Sequence, residues 1–261
     1  MYVTARFRSL SMPPTLMSVL LLVSSPAATP SPVPTSAELK ALLTQVDDSG
    51  RSNSSHVVMS MRVKTKRFSR KMKMESWSKG KEHSLIRLRE PAKDQGIATL
   101  KVGDKLWNYL PNTDRTMRVP SAMMSGAWMG SHVSNDDLVR EYRLSEDYTY
   151  AMAPGSAALG SARFTIRCTP KPETPVVWGH IDVTVTAAGV PEKQEFYSEK
   201  GKKVRTMTYS DVKEVAGIPV PHKMVIQPHD KPNEFTEMVF HSLKLNIPIE
   251  DSRFSLQALR D

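Results

Sequence analysis

Residues 105–142 read KLWNYLPNTDRTMRVPSAMMSGAWMGSHVSNDDLVREY, and the change of pattern inside them decides the fold. Leu106, Trp107, Asn108, Tyr109 and Leu110 favour a pleated, half-buried surface, so the stretch begins as a strand. Pro111, Asn112, Thr113 and Asp114 turn the chain, because proline presets its backbone angle and Asn and Asp bond to their own backbone. Residues 115–119 return as the second arm of a hairpin. Residues 121–130, SAMMSGAWMG, are then small, soft and uncharged. Ser134 or Asn135 is placed to cap a short helical turn, with Asp136 and Asp137 near its N-terminus, where acids favour the helix dipole. A Met-rich, Gly-interrupted segment between two polar ones is either buried or a flap over something apolar.

On both sides of this stretch the pattern has period two. In residues 56–64, positions 57, 59, 61 and 63 are apolar while 60, 62 and 64 are polar, giving one wet face and one apolar face. Met72 and Met74 repeat this, Ile86 and Leu88 lie opposite Arg87 and Arg89, and residues 96–102 form the next arm. Further strands are expected at 163–168, 176–186, 193–198, 203–209, 218–227 and 234–245, separated by Pro, Gly, Asn and Asp punctuation. The one clear helix is 36–46, with Ser36 as its cap and apolar positions 39, 42, 43 and 46. About eleven strands against one helix make a mainly β fold, a curved antiparallel sheet that must close, stack or be covered.

The ends and the composition narrow the class. Arg6 and Arg8, the apolar run 16–23 and the small residues 25–28 have the order of a secretory signal peptide, with cleavage expected after Ala27. Its roughly 8 to 12 apolar residues fall short of the roughly 20 a membrane span needs. No cysteine stands directly after the run, so no lipid anchor is expected. Residues 28–36 are a Pro/Ser-rich linker that cannot form a core, leaving 37–261 as one large β domain. The single cysteine, Cys168, falls on the apolar side of a strand and reads as a small buried hydrophobe.

The formal charge of +9 (36 basic less 27 acidic residues) becomes +7 without Arg6 and Arg8. It is scattered and has few aromatics among it, unlike the concentrated basic face of a nucleic-acid binder, so no nucleic acid is expected. On an exported protein it suits an anionic membrane surface or an acidic partner.

Catalytic constellations are missing from the sequence. Histidines 56, 83, 132, 180, 222, 229 and 241 show no metal-ligand spacing, and the Gly-x-Ser-x-Gly and Gly-rich phosphate motifs do not occur. Asp136 and Asp137 are adjacent, so their side chains point apart, which suits capping better than shared acid–base work. Neither an enzyme nor a cofactor or metal is expected. Methionine is the unusual component: of fifteen, twelve lie beyond the leader, at strand positions 59, 61, 72 and 74 and flap positions 123, 124 and 129 among others. Its flexible, polarisable side chain fits irregular apolar guests. Burying an acyl chain gains about 0.8 kcal/mol per CH₂, and a flap that packs on itself when the carrier is empty offsets part of that gain and permits release.

Trp107-Asn108-Tyr109-Leu110-Pro111, Arg118-Val119, Met129-Gly130-Ser131 and Asn135-Asp136-Asp137-Leu138 together resemble the LolA-like outer-membrane lipoprotein-sorting proteins, in their larger exported subgroup. The resemblance is specific between about residues 80 and 145; His132 departs from it, at a position where an acidic residue is expected. It implies an open β-half-barrel with short helices lidding an apolar cavity. It also implies a monomeric periplasmic carrier of lipoprotein acyl chains or lipids, working between an inner-membrane transporter and an outer-membrane acceptor. Trp107, Tyr109, Met129 and Leu138 then belong at the cavity or its lid. Met59, Met61, Met72, Met74, Ile86, Leu88 and Leu100 are the expected lining from the strand pattern, and Met123, Met124, Trp128, Gly130 and Asp137 complete the lid. The alternatives are a periplasmic sensor module of similar fold that binds a protein partner and a hydrolase, for which the sequence nominates no acid or histidine strongly.

Overall fold

The computed structural model describes residues 34–49, 51–140, 144–172, 174 and 176–260, together with 1, 2 and 4. Apart from residues 1, 2 and 4, the expected signal peptide lies outside the described residues, as do residues 28–33 of the linker. Val33–Asp261 form one compact unit. It opens with helix α1 (Ser36–Asp48). The cap is Thr35 rather than the expected Ser36: Glu38 N–H donates to the Thr35 hydroxyl, and the Glu38 carboxylate accepts from Thr35 N–H at 2.8 Å. That reciprocal pair is a capping box.

Six strands follow: β1 (Ser54–Lys64), β2 (Ser69–Lys79), β3 (His83–Glu90), β4 (Ala98–Val102), β5 (Lys105–Leu110) and β6 (Arg115–Arg118). Two short helices, α2 (Asn135–Arg140) and α3 (Leu144–Asp147), come next. The second run is β7 (Tyr148–Met152), β8 (Arg163–Pro170), β9 (His180–Thr186), β10 (Pro191–Tyr197), β11 (Lys203–Val215), β12 (Ile218–Pro228) and β13 (Phe235–Leu245). All thirteen join one antiparallel sheet in the order β6-β5-β4-β3-β2-β1-β13-β12-β11-β10-β9-β8-β7. The count exceeds the expected eleven in part because residues 148–152 form an edge strand that the sequence reading passed over.

The sheet is two meanders joined through β1 and β13. Its ends, β6 and β7, do not meet, so it is a curved, open half-barrel. The topology explains the opening stretch. β6 and β7 follow one another in sequence but lie at opposite edges, so the chain between them must cross the sheet. It does so over the concave face, where Trp128 and Val133 pack among strand residues.

Register assigns the faces. Met59 pairs with Met74 and Met61 with Met72, and all four point into the concave cluster. Met61 also pairs with Met238, Met238 with Met224, and Met224 with Tyr209. One row of soft apolar side chains, 72–61–238–224–209, therefore crosses five neighbouring strands on one face. Opposite it, Leu85, Ala98, Leu100 and Tyr109 pack under Phe254 and Leu259 of the C-terminal segment, which covers the convex side of the first meander. Helix α1 lays Leu39, Leu43 and Val46 on the second meander, beside Phe164, Ile166 and a fully buried Cys168.

Candidate functional site: a cavity beneath helix α2

The crossing segment fills only part of the concave face. Over β1 to β4 it inserts Trp128, 3% exposed, into the methionine cluster. The indole N–H donates to Thr99 Oγ1 at 3.0 Å, so the ring's one polar group is satisfied at depth. A tight loop holds it there: Trp128 N–H donates to Val133 O at 2.7 Å, and Met129 and Gly130 take left-handed φ values of 53° and 69°. Met129 has a Cβ, so this conformation is sparsely populated and is retained by the surrounding contacts.

Over the second meander a cavity remains. Its floor is Phe196, Met207, Tyr209, Met224, Met238 and Phe240, and its roof is Leu138 of α2 with Val46 and Leu144. The empty space between its walls is about 1190 Å³ with the open mouth included, of which about 150 Å³ is open to the centre of a water molecule. The walls are mostly carbon, interrupted by a few fixed charges, the pattern of a small-molecule site.

Those charges are tied to the lid. Asp137 on α2 accepts two parallel hydrogen bonds from Arg205 on β11, Nη1 to Oδ2 and Nη2 to Oδ1, each 2.7 Å. The guanidinium lies 4.2 Å from the centre of the Phe196 ring and 4.7 Å from that of Trp178. Asp137 also closes a capping box with Ser134: Ser134 N–H donates to its carboxylate at 2.8 Å, and its own N–H donates to Ser134 Oγ at 3.1 Å. Burial works to raise the Asp137 pKa, but the bonds and charge of Arg205 outweigh it, and the carboxyl is held below its ordinary value. Its neighbour Asp136 is pushed up by burial, which its 3.0 Å contact with Arg140 only partly offsets. Behind the cavity, Asp47 of α1 accepts from Leu144 N–H at 3.1 Å, Ser145 N–H at 2.9 Å and Ser145 Oγ at 2.7 Å, pinning α3. Burial raises the Asp47 pKa in spite of these bonds.

Set against the residues expected from sequence, the placement divides. Met59, Met61, Met72, Met74 and Leu88 sit in the closed cluster beneath Trp128, with Ile86 packed at its side. Leu100, Trp107 and Tyr109 point to the convex face, since Leu100 pairs with Trp107 and Ala98 with Tyr109 in the C-terminal cluster. None of these nine walls the cavity. Of the lid residues, Asp137 and Leu138 line it; Trp128 and Met129 belong to the methionine cluster, Met124 is half-buried, and Met123 and Gly130 are exposed. Arg205 and the cavity floor were not singled out from the sequence. Among the described residues no three His, Cys, Asp or Glu side chains are placed to hold a metal ion, and no helix is long and apolar enough to cross a membrane.

Comparison with other proteins bears on this architecture. Residues 80–261 match the model of a family described as "-like: Uncharacterized protein". A domain from Vibrio parahaemolyticus, described as an outer membrane lipoprotein-sorting protein, superposes with a TM-score of 0.72 at 24% identity, covering 86% of this chain and 100% of its own. A LolA superfamily protein from Nitrosomonas europaea gives 0.69 at 22% identity, covering 84% and 98%. The chain belongs to that matched family, and its fold is that of the LolA-like structures. A DUF1329 family protein from Desulfovibrio piger has the same fold as this chain, with a TM-score of 0.75 at 20% identity over 86% and 98% of the two chains. No curated protein matches the sequence. The open half-barrel fold is thus common to all these structures, and the resemblance carried by residues 105–142 pointed to it.

Proposed function

We propose that this LolA-like protein is a periplasmic carrier of acyl chains, taking lipids or the lipid tails of lipoproteins from an inner-membrane transporter towards an outer-membrane acceptor. The observation that carries this reading is the cavity under α2, with an apolar floor on four strands and a roof that one ion pair clamps down. A hydrocarbon chain desolvated there gains about 0.8 kcal/mol per CH₂, and no covalent chemistry is needed. The carrier works by binding and release alone, and is not an enzyme.

Release needs a competing use for the same apolar surface. Trp128 supplies one. It occupies the first-meander half of the concave face, and the row 72–61–238–224–209 runs from beneath it into the open cavity. Withdrawal of the 128–133 loop extends the cavity along that row and makes Met61 and Met72 part of a longer binding surface. Its return displaces the tail of the cargo.

The test is organic extraction and mass spectrometry of the protein exported to a bacterial periplasm. Fatty-acyl lipid near one equivalent per chain is expected, with less from a Met224→Trp variant whose larger ring fills the cavity. Clean extracts from well-folded protein, together with no uptake of an added fluorescent fatty acid, overturn the reading.

A further inference from the structure

The turn between β1 and β2 carries charge and exposed aromatic surface that the cavity does not use. Lys64, Lys66, Arg67 and Lys71 are exposed, and none pairs with a carboxylate among the described residues. By contrast, Arg70 pairs with Asp94 at 2.7 Å and Lys73 with Glu90 at 2.8 Å. At the tip, Phe68 is 44% exposed, a large ring left in water amid four free cations. The turn is rigid: Thr65 N–H donates to Phe68 O at 2.9 Å, and Thr65 Oγ1 accepts from the backbone N–H of Arg67 at 3.2 Å and of Phe68 at 3.1 Å. A preformed turn presenting one aromatic between cations loses little entropy when it docks.

We infer that this hairpin tip docks the protein on an anionic lipid surface, Phe68 entering the headgroup region and Lys64, Lys66, Arg67 and Lys71 facing the lipid phosphates. Charge complementarity selects that occupant. Basic residues near an anionic leaflet are attracted by its surface potential, and an exposed Phe ring gains by burial at the headgroup–acyl boundary.

The tip is also braced against the crossing segment. The Phe68 ring comes within 3.4 Å of where a Cβ on Gly130 would stand. Lys66 N–H donates to Glu234 Oε1 at 2.8 Å, and Glu234 Oε2 lies 3.3 Å from His132 Nε2. His132 N–H in turn donates to Thr236 Oγ1 at 3.0 Å. Docking therefore acts on the loop that holds Trp128 in place, so contact with a membrane is coupled to the loop that closes the apolar row.

The test is flotation of the purified protein with phosphatidylcholine vesicles, with and without phosphatidylglycerol. Binding is expected only with phosphatidylglycerol, falling as salt is added. At roughly fivefold per basic residue, Lys66→Ala plus Arg67→Ala weakens it about 25-fold. Phe68→Ser weakens it several-fold without changing the salt dependence. Reversing two exposed lysines at the opposite end of the sheet, Lys105→Glu plus Lys244→Glu, leaves it within about twofold, because charges beyond a Debye length are screened. Absence of binding by the unaltered protein overturns the proposal, as does an equal loss in the Lys105/Lys244 variant, which makes the attraction a property of net charge. The readout is vesicle binding, so it stands or falls separately from the cargo.

Discussion

Arg205 on β11 and Asp137 on α2 meet fork to fork, both hydrogen bonds 2.7 Å long, across 68 residues of sequence. The guanidinium packs against Phe196 and Trp178, and the carboxylate is part of the cap of the lid helix. The pair therefore links the roof of the cavity to its floor, and the lid cannot lift without separating them. Removing one partner of a mostly buried pair leaves the other charge uncompensated and costs about 3–5 kcal/mol. Arg205→Ala should lose stability of that order in denaturant titrations. Arg205→Lys should lose less, but should show faster hydrogen exchange at 135–140, because an ammonium cannot make the bidentate contact.

Acid should open the same latch. The folded-state pKa of Asp137 is lowered from its ordinary 3.8, so its contribution to stability is fully present above that value and is lost as pH falls through the lower folded value. Asp136 and Asp47 have raised values and act in the opposite sense, their burial cost being relieved on protonation. Exchange rates at 135–140 should therefore rise below about pH 3.8 in the unaltered protein. The Asp137→Asn variant, loosened at every pH, should show no such acid step.

Trp128→Ala should separate closure from folding. Truncating a buried tryptophan costs about 3–5 kcal/mol, visible as a lower denaturation midpoint. In the remaining folded protein the space above Met61, Met72 and Met74 is vacated, so uptake of a fluorescent fatty acid per folded chain should rise. A fall in uptake would place Trp128 in the cargo site instead of in competition with it.

Met61 and Met74 are 0% and 1% exposed, whereas Met238 stands half-buried at the cavity. Met61→Glu plus Met74→Glu buries two carboxylates without partners and should abolish folding. Met238→Gln should leave folding within about 1–2 kcal/mol and lower fatty-acid uptake, as a half-exposed polar atom keeps its water.

Cys168 is a reporter for the second meander. It is fully buried, and burial, with Asp47 and Asp182 adding to it, raises its thiol pKa strongly. The thiolate is the reacting form. Alkylation by iodoacetamide at pH 8 should therefore follow global unfolding, accelerating with denaturant in step with loss of circular dichroism.

Much of the sheet was legible because its strands have one wet face and one dry face, and a period of two betrays that. Met59, Met61, Met72 and Met74 were correctly placed on one apolar face for this reason. The same rule misled at β3 to β5, where both faces are covered: Leu88 lies beneath the crossing segment and Leu100 beneath Phe254 and Leu259. Alternation tells two faces apart but does not say which one is concave. The cavity itself was illegible because its position depends on how far the crossing segment reaches over the sheet. Trp128 plugs one half, and the Asp137–Arg205 pair spans the other, a contact between distant segments that no local pattern encodes. Met207, Met224 and Met238 were visible as methionines, but only the register of β1, β11, β12 and β13 shows that Met224 and Met238 lie in one row with Met61.

The carrier proposal requires an acyl chain in the cavity under α2, and photo-crosslinking locates it. A fatty acid with a diazirine at mid-chain is bound, irradiated and mapped by peptide mass spectrometry. Adducts are expected on Met207, Met224, Met238 or Phe240 and on Leu138 of the lid. Adducts confined to the convex face around Leu100 and Phe254, or none above the level of heat-unfolded protein, contradict it.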